Sequence, residues 1–570
     1  MDIVRTPWRF FVSLALVAVM APALPFPAGV EATHPIDSRS LWGEWGEPFD
    51  GEVPAVNLVV LHDGRVLYWS GVEADETDTD PAHATFFTKT PKSGESRILD
   101  LSGTTPVVTT PTPSDGGAAD LFCSGQIVLP DGRVVVAGST EWHTLPDMTT
   151  PLEGGVDVRV FDPATDTWTV VDDMEWGRWY PSVIQLPDGS PLAISGITNL
   201  TMPHTQVLPW ERYDHVHDHW SEVDGADRLL PLYPRVFVVP GGPMKGEVFY
   251  NTVGTLWGPF GEHPAEATWS LQQSFDPDTK TWRFLGPSVF GARQHGASVM
   301  LPLSSDDGYA PRFLTFGGTL QRGVAAVPFA EVNDLSTDPP TNTAVATMAN
   351  GRWHLNGVTL PDGKVLAVGG AAYDNVVVHG QENVPILSAE IYDPEKDRWL
   401  ETPEMEVARM YHSTAALLPD GSVLLGGHVP LPNPFTPLRQ EIPGTGFAPN
   451  PQTVETRFEV YRPPYMFRGD RPTIDDAPDH THYGATFTVN VTTDAPVDSV
   501  VLVRPGATTH AFDMAQRSVV LNVVHQAGGT LTVEAPPDAT VAQPGHWMLF
   551  VNEEHPLGPV PSEARFVHVS

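Results

Sequence analysis

The sequence predicts an all-β protein, a seven-bladed β-propeller followed by a β-sandwich, and three observations lead to this fold class. One hairpin motif recurs seven times between Leu61 and Leu418. A second strand–turn–strand motif follows several of these copies. The last hundred or so residues consist of short alternating strands and lack the hairpin motif, which indicates a separate closing domain.

Each copy of the hairpin motif reads as an apolar strand, a Leu-Pro-Asp-Gly type turn and a second apolar strand. Asp-Gly between two apolar runs is a strong signal for a β-hairpin. Five clear copies have turns that begin at Leu61, Leu129, Leu186, Leu360 and Leu418, and two degenerate copies begin at Val239 and Leu301.

The second motif is an apolar strand, an Asp-Pro turn and a strand that ends on Trp. It occurs at Phe161–Trp168, Phe275–Trp282 and Tyr392–Trp399, and its Trp can pack between blades. Two hairpins in a unit of roughly 50 to 60 residues are typical of a four-stranded kelch-type blade. We therefore expect a kelch-type propeller over residues 40–465 and an Ig-like sandwich over residues 470–570.

One position of the repeat holds a potential metal-binding or redox-active residue in six of the seven copies. Six residues before the turn, the seven copies have Ala55, Cys123, Tyr180, Tyr233, His295, His354 and His412. In a kelch-type blade this turn follows the innermost strand, so these side chains form a ring at one mouth of the central channel. Imidazole nitrogen and phenolate oxygen are ligands that favour copper. A ring held by backbone repetition is rigid, which suits a metal or radical site.

Composition narrows the partners and the compartment. The chain has 32 Lys and Arg against 70 Asp and Glu, a formal charge of −38, and this excess of negative charge argues against a nucleic-acid partner. Residues 1–32 are typical of a secretory signal, with Arg5 and Arg9 before the apolar run Phe10–Met20. We expect a secreted or extracytoplasmic protein with no stable membrane span, or one associated with the cell surface; a retained N-terminal anchor is the alternative. Cys123 is the single cysteine, so no intramolecular disulfide forms.

Four segments carry a family resemblance that spans the chain from about residue 40 to its end. Taken together and in this order, they resemble motifs of the galactose oxidase and glyoxal oxidase family of copper radical oxidases. The segments are Asp120–Gly125, Gly177–Ser182, Ala408–Ser413 and Gly506–Ala511. The segment Pro544–Val551 resembles the closing domain of that family. The layout is nearer to glyoxal oxidase, because no carbohydrate-binding domain fits before Leu41.

The resemblance implies a cofactor, a ligand set and a reaction. Cys123 and Tyr180 would form a thioether-linked pair whose oxidised form is a radical. Tyr411 would be an axial phenolate that takes the substrate hydroxyl proton. One copper ion would be held by Tyr180, Tyr411, His412 and His510, with His510 supplied by a loop of the sandwich. The implied reaction converts a primary alcohol or an aldehyde, with O2, to an aldehyde or an acid and H2O2; the substrate would be a small alcohol, aldehyde or carbohydrate.

This chain departs from the galactose oxidase pattern at two places. The Trp that galactose oxidase places over the thioether corresponds here to Ile197 and Thr198, so Trp179 becomes a candidate to shield the radical and to contact substrate. Arg235 falls near the family's substrate-contacting stretch and is a candidate to bind a hydroxyl or carboxylate.

Other interpretations stay open at this stage. Cys123 alone could be an inert buried thiol, and the propeller could be a non-catalytic binder of glycans or proteins. His295 and His354 are expected to line the channel, and His428 to lie on a loop. A strand through His215, His217 and His219 would put all three on one face as a separate zinc or copper site, although an exposed polar hairpin fits better. We find no Gly-x-Ser-x-Gly elbow and no phosphate loop in a suitable setting.

Overall fold

A computed structural model describes the protein at residues 37–70, 96–113, 121–139, 153–199, 205–255, 266–321, 324–374, 384–428 and 455–570. The secretory signal expected over residues 1–32 lies outside them. Residues 38–570 form one compact unit, and the predicted all-β fold class is confirmed. The described helices are short: Arg39–Trp42 and Glu266–Trp269 are α-helical, and Gly242–Met244, Ser305–Asp307 and Pro464–Phe467 are 3₁₀. None of the described helices is long and apolar enough to cross a membrane.

The described residues form seven antiparallel sheets, which we number as blades 1 to 7 and give from inner to outer strand. Blade 1 is Asn57–Val60, Val66–Trp69, Ser96–Asp100 and Val107–Thr109; blade 2 is Gly125–Val128, Val134–Ala137, Val158–Asp162 and Thr167–Val170. Blade 3 is Ser182–Gln185, Pro191–Ile194, Glu211–Asp214 and His219–Glu222; blade 4 is Val236–Val238, Val248–Tyr250, Leu271–Asp276 and Thr281–Pro287. Blade 5 is Ala297–Met300, Arg312–Phe316, Ala330–Asp334 and Thr341–Val345; blade 6 is Asn356–Thr359, Val365–Val368, Ser388–Asp393 and Arg398–Glu404.

Blade 7 joins the two ends of the propeller sequence. Its three inner strands are Ser413–Leu417, Val423–Gly427 and Arg457–Arg462. The outer strands that pair with Arg457–Arg462 come from the start of the described chain, Glu44–Trp45 and Phe49–Asp50. Blade 7 therefore contains strands from both ends of the propeller sequence, and their hydrogen bonds close the ring of blades.

The Asp-Gly turns form because each residue of the motif meets a local need. In blade 2, Oδ1 of Asp131 accepts a hydrogen bond from the backbone N–H of Arg133 at 3.1 Å. Gly132 has φ of +90°, a conformation that glycine adopts without a side-chain clash. The same Asp-to-backbone bond recurs in blades 1, 3, 6 and 7, at Asp63, Asp188, Asp362 and Asp420.

The Trp residues of the second motif link neighbouring blades, as predicted. Nε1 of Trp168 in blade 2 donates to Oγ of Ser96 in blade 1 at 2.9 Å. Nε1 of Trp399 in blade 6 donates to the carbonyl oxygen of Ala346, directly after blade 5, at 2.8 Å. These bonds satisfy the indole N–H groups while the rings fill the space between the sheets.

Two sheets make up the C-terminal sandwich. One has the order Thr473–Asp476, Thr486–Thr492, Thr530–Glu534 and Val523–Ala527. The other has the order Leu303–Ser304, Ser518–Leu521, Val497–Val503, Gly545–Glu553, Arg565–Val569 and His480–Thr481, with Val560–Pro561 paired to Gly545–Glu553. Leu303–Ser304 belongs to the insertion in blade 5, so this sheet contains a strand from the propeller. Two further pairs are Ile197–Asn199 with Thr205–Gln206 and Val253–Gly254 with Arg293–Gln294.

The sandwich packs on the end of the propeller that carries the Asp-Gly turns. The turn carbonyls of Pro130, Pro361 and Pro419 accept hydrogen bonds from His568, Asn552 and Ala564, at 3.0, 2.9 and 2.8 Å. A hairpin of the sandwich, Ala507–Thr509 with Phe512–Asp513, leaves this interface and pairs with the inner strand of blade 1. The hairpin reaches from the turn end of the propeller toward the opposite end, where the inner strands begin.

Candidate metal centre

The six predicted ring residues lie together at the start of the inner strands, and all are buried. Each has a positive φ, between 42° and 67°, so the chain turns sharply before it enters its blade. Such a conformation is uncommon for residues other than glycine and is retained where surrounding structure enforces it. The residues are Cys123, Tyr180, Tyr233, His295, His354 and His412.

Backbone hydrogen bonds join neighbouring members of the ring. The N–H of Tyr180 donates to the carbonyl of Cys123 at 3.1 Å, and that of Tyr233 to the carbonyl of Tyr180 at 2.9 Å. The N–H of His354 donates to the carbonyl of His295 at 2.9 Å. These bonds fix the spacing between blades at the level of the ring and hold its side chains in place.

Blade 1 contributes only Ala55 to this ring, and the hairpin of the sandwich contributes an imidazole beside it. Thr509 pairs with Asn57 of the inner strand, and Oγ1 of Thr509 donates to the carbonyl of Val56 at 2.9 Å. His510 follows at the hairpin tip, buried, with φ of 47°. Ala55, the ring residue without a functional side chain, therefore lies next to His510, which the sandwich supplies.

Two phenols, two imidazoles and one thiol converge at this point. The hydroxyls of Tyr180 and Tyr411 hydrogen-bond to each other. The ring centres of Tyr411 and His412 are 3.8 Å apart, and those of His412 and His510 are 4.6 Å apart. Ligand atoms of Cys123, His412 and His510 all lie within 4.8 Å of one another. The arrangement offers nitrogen, oxygen and sulfur donors to a single ion.

The hydrogen bonds of Thr509 determine which nitrogen of His510 faces this cluster. Because Oγ1 of Thr509 gives its proton to the carbonyl of Val56, it accepts from Nδ1 of His510, 2.8 Å away. His510 therefore carries its proton on Nδ1 and presents the lone pair of Nε2. That atom lies 4.0 Å from Sγ of Cys123. An imidazole oriented in this way by its second nitrogen is the usual form of a metal-bound histidine.

Burial sets the protonation of the cluster. It raises the pKa of Tyr180 and of Tyr411 well above the usual value, and it lowers the pKa of His510 well below the usual value. The imidazole is thus neutral, the form that binds metals. A bound cation would reverse the effect on the phenols, because it favours the phenolate.

Trp179 covers one face of the cluster. Its indole stacks on the ring of Tyr180, with ring centres 3.6 Å apart and planes within 10°. Its backbone N–H donates to the carbonyl of Ile197 at 3.0 Å. The indole therefore reaches Tyr180 from the adjacent chain position and shields that ring from solvent.

Comparison with known proteins agrees with this geometry. The model of the glyoxal oxidase N-terminus matches residues 291–465, and that of the galactose oxidase-like early set domain matches residues 471–569. Both matches are to models of the galactose oxidase and glyoxal oxidase family, which this chain resembles in both of its domains. The two models follow each other along the chain in the order of the propeller and the sandwich.

Individual relatives of this family match most of the chain. A galactose oxidase of Gibberella zeae is 24% identical over 559 residues, which cover 93% of this chain and 71% of the relative. An aldehyde oxidase (GLOX) of Vitis pseudoreticulata is 28% identical over 487 residues, covering 79% of this chain and 82% of the relative. A solved fungal alcohol oxidase of the AA5 family, in complex with copper, superposes with a TM-score of 0.71 at 22% identity, over 93% of this chain and 99% of that structure.

Arg235 does not lie where a substrate-binding residue is expected. It is fully buried, and its guanidinium donates to the carbonyls of Tyr233 and His510 at 2.8 and 2.7 Å. The expectation that it binds a substrate hydroxyl or carboxylate is therefore replaced by a positioning role. Arg235 holds the backbone of the hairpin tip that carries His510.

His295 and His354 line the site without joining the five converging groups. His354 lies 5.0 Å from the ring of Tyr411, and its Nε2 accepts from the backbone N–H of His412 at 3.4 Å. His295 stands one blade further round, 5.9 Å from Tyr411. His428 is buried and lies within 3.2 Å of the carbonyl of Tyr411 through Nδ1, so it supports the segment that carries Tyr411.

The rival histidine site does not form on one strand face. His215 and His217 belong to the turn between the outer strands of blade 3, and His219 begins the next strand. Their partners are separate: His217 contacts Asp214 at 2.7 Å and His219 contacts Asp172 at 3.2 Å. The strand interpretation failed because the tight turn reverses the chain within the His-x-His-x-His run, which is an exposed polar hairpin.

Sequence reasoning missed four buried ion pairs that brace the ring. In blades 3, 5, 6 and 7, an arginine two or three residues before the ring position meets a glutamate of the third strand. The pairs are Arg178–Glu211, Arg293–Glu331, Arg352–Glu390 and Arg409–Glu459. A signal was present, since Gly-Arg or Ala-Arg precedes each of these ring residues, but only the fold reveals the partner.

Proposed function

We propose that the protein is a secreted copper radical oxidase that converts a primary alcohol to an aldehyde, or a hydrated aldehyde to an acid, while O2 is reduced to H2O2. The observation that carries the proposal is the convergence of Tyr180, Tyr411, His412, His510 and Cys123 in one buried cluster. A purely scaffolding or glycan-binding propeller has no physical need for these five groups at one point.

The donor set fits copper. Two imidazoles and two phenolates are the ligands that a copper ion in a roughly square arrangement prefers. Nε2 of His510 presents a lone pair because the proton is on Nδ1, which donates it in a hydrogen bond to Oγ1 of Thr509. Tyr180, Tyr411, His412 and His510 would hold the ion, and Cys123 would bond to Tyr180.

The residues divide the work of the reaction between them. Bound copper would accept one electron and lower the pKa of a coordinated substrate hydroxyl. Tyr411 acts as general base and takes the hydroxyl proton. Tyr180, if linked to Cys123 and oxidised, would supply the second one-electron acceptor and would take the hydrogen from the substrate carbon. Trp179 stacks on Tyr180 and keeps solvent from it. O2 would take up the two electrons and two protons removed from the substrate and leave as H2O2.

The substrate class rests on the relatives. They are named galactose oxidase and aldehyde oxidase, and the solved structure is described as an alcohol oxidase. We therefore assign small primary alcohols, aldehydes or carbohydrates to this site. The formal net charge of −38 favours neutral substrates over nucleic acid or other polyanions.

The domain organisation follows the same lines. We assign residues 1–32 to a secretory signal, residues 40–465 to the propeller and residues 470–570 to the sandwich. The sandwich then acts as a structural cap that also supplies one catalytic ligand, His510. The assignment to export rests on the signal-like N-terminus, because the single cysteine leaves no intramolecular disulfide that would mark an exported chain.

Copper loading of the purified protein tests the proposal. The protein is incubated with one equivalent of Cu²⁺ under air, and oxygen uptake and H2O2 are followed with a panel of galactose, simple primary alcohols, glyoxal and methylglyoxal. We expect matched oxygen uptake and H2O2 release with at least one compound, and neither without copper. Tight copper binding without turnover on any compound, combined with glycan binding, would favour the non-catalytic propeller instead.

A further inference from the structure

Two arginines flank the base of the hairpin that carries His510. Arg504 precedes the hairpin and Arg517 follows it, and the N–H of Arg504 donates to the carbonyl of Arg517 at 3.0 Å. Both side chains are almost fully buried, 6% and 3% exposed, at the junction between the sandwich and the propeller. A group that binds both guanidiniums would therefore hold the two ends of the hairpin at a fixed separation.

Arg504 and Arg517 lack the carboxylate partner that several other buried arginines have. Arg178, Arg293 and Arg352 each meet a buried glutamate at 2.7 to 3.0 Å. Within the described part of the chain, no carboxylate lies within ion-pair distance of Arg504 or Arg517. A buried charge without a counter-charge is costly. Arg235 is also buried and donates only to carbonyls, but Arg504 and Arg517 lie together at one junction, so two such charges meet there.

Neutral groups take the hydrogen bonds of both side chains. Arg504 donates to Oε1 of Gln185 and, at 3.4 Å, to Oε1 of Gln543. Arg517 donates to three backbone carbonyls, those of Thr540, Val541 and Val238, at 2.6, 3.2 and 2.7 Å. These oxygens satisfy the donors without cancelling the charge.

One carboxylate, that of Asp513, interacts electrostatically with Arg504 without forming an ion pair. Asp513, on the second strand of the hairpin, is half-buried, and its Oδ1 accepts from the backbone N–H groups of Ala507 and Ala515 at 2.9 and 3.0 Å. Two guanidiniums and one carboxylate leave one positive charge in excess. Burial lowers the pKa of Arg517 to about 9, in keeping with an environment short of negative charge.

A small polar cavity lies between the two guanidiniums and the propeller. Its volume is about 20 Å³, and side chains of Arg504, Arg517, Gln185, Gln516 and Gln543 line it together with apolar groups. Space of this size holds a water molecule or one monoatomic ion.

We propose that this cavity binds a single monovalent halide, chloride under ordinary conditions, between Arg504 and Arg517. The ion neutralises the excess charge, accepts hydrogen bonds from the guanidinium and amide groups of the lining, and fixes the base of the hairpin. Water alone fills the space but leaves the charge uncompensated. The site lies at the opposite end of the hairpin from His510, so it is separate from the metal centre and does not depend on its activity.

Crystals grown in NaBr give the direct test, because bromide replaces chloride and scatters anomalously. We expect one anomalous peak between the guanidiniums of Arg504 and Arg517 in both copper-free and copper-loaded protein. The absence of a peak there, with density for water alone, overturns the proposal.

Thermal unfolding gives a second test in solution. At fixed ionic strength, replacing gluconate by chloride is expected to raise the unfolding temperature by about 3 °C, because the ion binds only the folded state. The increase should depend on the chloride concentration. Arg504→Gln and Arg517→Gln should lose this dependence, and Arg565→Gln, an exposed arginine of the same domain, should keep it. Equal unfolding temperatures in both salts for the unaltered protein contradict the proposal, whether or not the variants fold.

Discussion

The hydroxyls of Tyr180 and Tyr411 hydrogen-bond to each other although the residues are 231 positions apart. Tyr180 precedes the inner strand of blade 3, and Tyr411 precedes that of blade 7. The contact crosses the mouth of the propeller channel. It places the phenol assigned to the radical directly beside the phenol assigned to proton transfer.

Tyr411→Phe is expected to remove the general base while the ring still packs against His412. We expect kcat to fall about 100- to 10,000-fold, the usual contribution of a positioned base, in an assay of H2O2 release. Tyr392→Phe is the matched control, since its hydroxyl contacts Asp397 on the outer turn of blade 6. A Tyr411→Phe enzyme that keeps kcat within about threefold would contradict the assigned role.

Thr509→Val is expected to weaken copper binding. The substitution keeps the shape of the side chain but removes the acceptor for the Nδ1 proton of His510. Loss of such a partner typically costs 10- to 100-fold in metal affinity, measured here by competition with a chelator. Thr509→Ser retains the hydroxyl and should bind copper nearly as the unaltered protein does. Equal affinities for the Val and Ser variants would show that the hydrogen bond does not orient His510.

Glu390→Gln is expected to destabilise the propeller. Glu390 and its partner Arg352 are both fully buried and lie 2.9 Å apart, so the amide leaves an uncompensated guanidinium. The free energy of unfolding should fall by about 3–5 kcal/mol in a denaturant titration. Glu395→Gln, on the exposed turn of the same blade, serves as control and should change it by less than about 0.5 kcal/mol. A loss of that smaller size at Glu390 would mean that the pair does not brace the ring.

Acid is expected to weaken the junction between sandwich and propeller through His546. Its ring stacks on His62 of blade 1, with centres 4.4 Å apart, and burial lowers its pKa to about 4. Between about pH 6.5 and 4 the unfolded chain therefore binds a proton that the folded protein does not, so stability falls as pH falls through this window. His568 and Asp131 also face the ring, and His568 adds to the same trend while Asp131 opposes it.

The size of that effect is limited because the ring is partly exposed. We expect His546→Gln to reduce the loss of unfolding free energy between pH 7 and pH 4 by about 1 kcal/mol, measured by denaturant titration at each pH. The exposed His525→Gln is the control. Identical pH dependences for the unaltered protein and His546→Gln would exclude this contribution.

Most of the propeller could be predicted from the sequence because its signals are local. An Asp-Gly turn such as Asp131-Gly132 needs only its own side chain and φ, so each copy marks its hairpin. The register then placed Cys123 and Tyr180 at equivalent sites, and the structure brings both to the same mouth. A repeat predicts such contacts because identical units place identical positions alike.

Contacts between unlike parts could not be predicted in this way. The alignment of the hairpin that carries His510 with Ala55 and Val56 depends on how the sandwich docks, which no repeat encodes. Arg235 matched a position near a substrate site, but burial and two carbonyl acceptors give it another role. The His-x-His-x-His run is the exposed polar hairpin that the sequence analysis favoured over a strand face.

The thioether between Cys123 and Tyr180 is the central chemical claim, and a mass measurement tests it most directly. The protein is analysed intact and as a tryptic map before and after copper loading under oxygen. We predict a mass lower by about 2 Da, the two hydrogens lost when the bond forms, and a cross-linked peptide that contains both residues. Cys123→Ser should show neither change. A Cys123 that remains fully alkylatable after copper and oxygen treatment, with copper bound, would contradict the radical mechanism.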